Sequence, residues 1–180
     1  MRIRTRLWRA GSAAIVLAVG AACALGATAS AAPRSLPSCS AANLSAKVTG
    51  EGAGMSQPAV YITVTNTSGK SCTLNGYPTI TRAVTQKGKQ PITVSKGGVM
   101  NAPQANPKRI VLAPRGHAWF ALGAATAYDP PIVTFVRVRF ATSSGGPTTL
   151  VKISLEASAP SGKAFPLGVT PFMPGVGTTQ

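Results

Sequence analysis

The chain has 180 residues, with 18 Lys and Arg against 3 Asp and Glu and one His, a formal net charge of +15. Three carboxylates and one imidazole are too few to staff a two-carboxylate glycosidase site, a serine triad or a zinc or calcium cage without an improbable convergence of all of them. The length suits a single domain behind a leader.

The leader comes first. Residues 1–9 carry Arg2, Arg4, Arg6 and Arg9 and no acid, and the stretch that follows is apolar and rich in Ala and Gly. A basic start, an apolar centre and a small-residue exit are the three parts of a secretory signal. Ala27-Thr28-Ala29 and Ala29-Ser30-Ala31 both offer cleavage, and a cut after Ala31 is expected, giving a signal over residues 1–31. The apolar stretch is near the ~20 residues of a spanning helix, so an uncleaved anchor stays open. Lipidation at Cys23 also stays open, although Gly20 stands where a lipoprotein signal carries a bulky aliphatic residue. The expectation is a secreted, extracellular protein associated with the cell wall, meeting a membrane only through the signal or a lipid on Cys23. Cleavage leaves 149 residues, with 14 basic side chains against Glu51, Asp129 and Glu156, a net charge of +11.

Residues 32–38 read as a linker and 39–172 as the folded domain. Once Cys23 leaves with the signal, Cys39 and Cys72 form an even pair in an oxidising compartment, and two cysteines allow one connectivity. The competing reading of Cys72 as a nucleophile needs a neighbouring base to form thiolate, and the single histidine, His117, is remote in sequence. "PAVYITVTN" then alternates, with Val60, Ile62 and Val64 on one face and Tyr61, Thr63 and Thr65 on the other. The sequon-like Asn66-Thr67-Ser68 follows. Because the Ala-rich leader has bacterial character, Asn66 is read as a turn residue whose short amide bonds local backbone. Weaker strands are expected at 44–49, 79–84, 92–95, 109–112 and 165–170. "HAWFALG" sets Ala118, Phe120 and Leu122 against Trp119 and Ala121. "VRVRF" turns Val136, Val138 and Phe140 inward and Arg137 and Arg139 outward. "VKISL" turns Val151, Ile153 and Leu155 inward and Lys152 and Ser154 outward. Period-two alternation marks half-buried strands, and the Gly- and Pro-rich segments between them read as turns. No sustained helical period appears beyond the leader. The pattern predicts an all-β, antiparallel β-sandwich of immunoglobulin-like Greek-key type, monomeric, with residues 173–180 fraying.

Strong positive charge draws polyanions and anionic surfaces. For an exported protein these are wall polymers, phosphate-bearing glycans or anionic lipid head groups; self-repulsion and solubility are the plainer reading. The basic residues are scattered, and the best candidate contact is the outward set Arg137, Arg139 and Lys152. A second reading is a binding module for another secreted protein, such as an inhibitor or adaptor, using sheet edges and loops. A third is a hydrolase pairing His117 with a serine. No nucleic acid, metal or cofactor is expected: "SKGGV" and "SSGGPT" lack phosphate-loop spacing, and no catalytic residue is nominated.

One segment carries a resemblance. Cys39 with "SAANLSAKV", then "YITVTNTSGKSCTLNGYPTI", resembles the actinobacterial secreted domain-of-unknown-function family 4232, whose pattern runs Cys, strand, Asn-x-[Ser/Thr]-x-x-x-Cys-x-Leu-x-Gly-[Tyr/Phe]-Pro. Asn66, Ser68, Cys72, Leu74, Gly76, Tyr77 and Pro78 fit it, and "RIVLAPRGHAWFAL" and "PLGVTPF" resemble the family's later strands. The resemblance implies a secreted or lipid-anchored, disulfide-linked β-sandwich with no known enzyme activity. Many members carry a second cysteine pair in the C-terminal half. This protein has none there, so its closing strands must hold by packing.

Overall fold

A computed structural model describes residues 35–54, 57–100, 102–124, 132–143 and 146–178. The signal over 1–31, the lipidation candidate Cys23, the first part of the linker and Asp129 lie outside the described residues. After a short 3-10 turn, Ala41–Asn43, the strands are β1 (Leu44–Gly54), β2 (Gln57–Asn66), β3 (Cys72–Leu74), β4 (Thr79–Thr85), β5 (Gly88–Gln90), β6 (Ile92–Lys96), β7 (Ile110–Leu112), β8 (His117–Ala124), β9 (Val133–Ala141), β10 (Thr148–Ala157), β11 (Phe165–Val169) and β12 (Met173–Pro174).

They make two facing sheets and a small pair. The larger sheet runs β1-β2-β8-β11-β6, with β12 also on β8; the second runs β10-β9-β4-β5; β3 pairs β7. Alternation builds the shared core. Val60, Ile62 and Val64 of β2, with Ala118, Phe120 and Leu122 of β8, meet Val138 and Phe140 of β9 and Val151, Ile153 and Leu155 of β10. Phe120 crosses the gap to Phe140 edge-on, centroids 5.1 Å apart, and Phe135 meets Phe165 at 5.6 Å. Each fully buried phenylalanine contributes roughly 1.5–3 kcal/mol.

The middle of the larger sheet is covered on its outer face too. Tyr61 and Ala59 of β2 and Ala121 of β8 are buried with Val99 and Ala102 of the β6–β7 loop, and Trp119 packs against them. This second, smaller core explains why β2 is buried on both sides from Ala59 to Val64 rather than alternating.

Several expectations change. The sheet is not wholly antiparallel, because β11 runs parallel to β6 while antiparallel to β8. Phe135, not Val136, points into the core beside Val138: pairing with β4 shifts between Val84 and Thr85, leaving Val136 as an extra residue half-buried at a bulge. Such an insertion reverses the in–out alternation beyond it. "TQKGKQP" is not turn alone, since Gly88–Gln90 forms β5 against β4. The linker is tied down at its end, where Ser38 bridges Thr73 and Cys39 N–H donates to the Thr73 carbonyl.

The tail corrects the largest expectation. Phe172 and Met173 are buried, and β12 pairs Met173 with Trp119 and Pro174 with Ala118. Gly177 N–H donates to Thr63 Oγ1, and its carbonyl accepts from Thr49 Oγ1 at 2.5 Å. A Cβ at Gly177 would stand 3.0 Å from the Trp119 ring, so a side chain there requires the indole to shift. Packing of Phe172 on Phe120, at 5.7 Å, supplies the apolar anchor that short-range pattern does not reveal.

Candidate functional site

The outward positions of the second sheet bring the scattered cations together. Lys152 of β10 lies directly opposite Arg137 of β9, Arg137 opposite Val84 of β4, and Val84 opposite Lys89 of β5. The adjacent row is Leu150, Arg139, Arg82. Arg82, Lys89, Arg137 and Lys152 are exposed; Arg139 is half-buried and donates from Nη1 to Thr148 Oγ1 at 3.0 Å. Strands sit about 4.8 Å apart and same-face residues about 6.8 Å apart along a strand, so five cations share a patch two rows deep.

Neither row holds a carboxylate. Glu156, opposite Thr134, lies on the same strand as Lys152 but beyond the register shift that follows it. Lys152–Arg137 and Arg139–Arg82 are therefore like charges in directly opposed positions, an arrangement that destabilises a sheet. Two unit charges 4 Å apart in water repel by about 1 kcal/mol. An anion laid between the rows removes that repulsion.

Of the three residues nominated from sequence, the fold places Arg137, Arg139 and Lys152 on one surface. Arg82 and Lys89 were missed. The inward Ala83 implies an outward Arg82 once a strand is assumed, but nothing local says that this strand neighbours Arg139.

The other nominated chemistry lies elsewhere. Cys39 and Cys72 form a disulfide, and both are buried. It fastens the entry of the domain to β3. Asn66, fully buried, ends β2: its Nδ2 donates to the carbonyls of Lys70, Leu112 and Ala113, and its Oδ1 accepts from Ser68 N–H and Oγ–H. It is a turn residue, as its short amide led one to expect. Gly76 adopts φ +72°, a left-handed conformation that suits glycine, and delivers half-buried Tyr77 and buried Pro78 to the start of β4. His117 is exposed, and its Nδ1 lies 2.9 Å from the Thr65 hydroxyl across the β2–β8 pair. Glu51 is paired at Val60 and Glu156 at Thr134, both distant in register from His117. Among the described residues no three His, Cys, Asp or Glu side chains gather as metal ligands, and no fully buried side-chain nitrogen or oxygen lacks a partner.

An all-β sandwich of two facing sheets with a small third pair, stapled at its entry by one disulfide and gathering five cations on one sheet face, is the class of protein defined here. The family model described as a domain of unknown function (DUF4232) matches residues 39–173, and the protein belongs to that family. No curated protein and no solved structure matches it.

Proposed function

We propose that the domain is exported and acts without catalysis, as a monomer, binding anionic wall or surface polymers through the outer face of β4, β5, β9 and β10. One observation carries the reading: two directly opposed cation pairs in adjacent rows, with no acid between them. Local charge repulsion of this kind is a cost to folding that a bound polyanion cancels. Export is supported by the leader pattern of residues 1–31 and by the disulfide, which persists in oxidising compartments. Among the described residues no helix is long and apolar enough to cross a membrane.

Co-sedimentation with isolated cell wall across a salt series tests the reading. Binding is expected at low salt and lost as salt rises, because each neutralised phosphate releases counterions. The double variant Arg137→Glu, Lys152→Glu is expected to weaken binding at least tenfold and to lower the slope of log K against log salt by about two. Absence of binding at low salt, or binding indifferent to salt, overturns it. A second reading, a secreted protein-binding module, is favoured by the partly uncovered edge of β4 and by β6 at the end of the larger sheet.

A further inference from the structure

β5 covers only Ala83–Thr85 of β4, so along Thr79–Arg82 β9 is the one strand paired to β4 among the described residues, with a register shift between Ile80 and Arg82. β6 ends the larger sheet, paired to β11 alone. Between these two edges runs a groove of about 460 Å³, a volume within the range of ligand clefts. Tyr77, Pro78 and Ile80 line it from the β4 side, Val94 from β6 and Pro107 from the β6–β7 loop. Lys96 is the one charged side chain among the described lining residues. Its Nζ stands 5.5 Å from the Tyr77 ring centroid, within cation–π reach, so the ammonium is held beside the apolar wall.

We propose that this groove binds an extended peptide carrying a carboxylate. The uncovered edge presents backbone N–H and C=O groups, interrupted at Thr81 by the register shift, that a short extended backbone can match on either side of it. Such a peptide lies along the first half of β4, places an apolar side chain among Tyr77, Ile80 and Val94, and sets its carboxylate on Lys96. Pro78 at the entry to β4 and the cover of β5 beyond Arg82 limit the added strand to a few residues. This fits capture of a short segment rather than open-ended sheet growth. An acidic side chain and a free peptide C-terminus supply the same group.

The test uses the full purified protein and three octapeptides alternating valine with a polar residue, each bearing an uncharged fluorophore. One carries glutamate with an amidated end, one glutamine with an amidated end, and one glutamine with a free C-terminal carboxylate. Fluorescence anisotropy is expected to show at least one carboxylate peptide binding fivefold or more tighter than the amidated glutamine peptide. The glutamate peptide winning assigns the side chain; the free-acid peptide winning assigns the peptide terminus. Lys96→Gln, at an exposed position, is expected to erase the difference, while Arg137→Glu with Lys152→Glu leaves it intact. Equal binding of all three peptides overturns the proposal. So does a preference abolished by the Arg137 and Lys152 changes but untouched by Lys96→Gln.

Discussion

Asn66 shows how much one side chain organises. Its amide satisfies carbonyls from two separate segments, that of Lys70 after β2 and those of Leu112 and Ala113 at the end of β7, while its oxygen fixes Ser68. Removing it strands buried carbonyls, each costing about 1–3 kcal/mol. Asn66→Ala is therefore expected to lower unfolding stability by about 2–4 kcal/mol, read as a urea midpoint. Asn66→Asp is expected to be worse, because it points a carboxylate at three carbonyl oxygens. An Asn→Asp variant more stable than the alanine one would refute this donor role. The residue's place at a turn was legible from its identity and its position after an alternating run. Its carbonyl partners at Leu112 and Ala113 were not, since they lie 46 and 47 residues away.

At the scale of elements, the disulfide and the tail do different work. The Cys39–Cys72 bridge spans a sequence separation of 33, and closing such a loop in the unfolded state contributes about 3–4 kcal/mol in the chain-entropy account. The double change Cys39→Ala, Cys72→Ala is expected to lose about that much by chemical denaturation, with the fold retained in water. Truncation after Pro171 removes the buried Phe172, β12 and the Gly177 contact on Trp119. It is expected to cost at least about 3 kcal/mol, the usual figure for losing a buried phenylalanine. It is also expected to shift Trp119 emission to the red as water reaches the indole. Strands with a clean two-residue period were readable in advance, as was the cysteine pairing, because only Cys39 and Cys72 remain once Cys23 is assigned to the leader. The bulge at Val136 was not readable, since it arises from pairing with β4. Nor was the tail, because a two-residue strand has no period of its own. The position of Arg82 beside Arg139, and of Lys89 one strand beyond Val84 from Arg137, depends on the order β9-β4-β5, which is a long-range choice.

At the scale of the whole molecule, charge and apolar groove occupy different parts of the surface. The polyanion binding proposed for the cations of the second sheet is an interaction that tracks ionic strength, whereas the groove between β4 and β6 offers backbone, aromatic and a single ammonium. Raising salt is thus expected to release a polymer from the sheet face before it releases a peptide from the groove. A competition measured at two salt concentrations reads this directly. Simultaneous loss of both ligands over the same salt range would mean that one surface serves both.

The position of β11 has a consequence for when the domain can fold. This strand sits inside the larger sheet, between β8 and β6, yet it is made after ten of the other strands. During synthesis β6 has no partner until residues 165–169 emerge, and long-range pairing of this kind is slow. A protein cut short before residue 165 is therefore expected to keep β1, β2 and β8 paired while β6 lacks its strand partner.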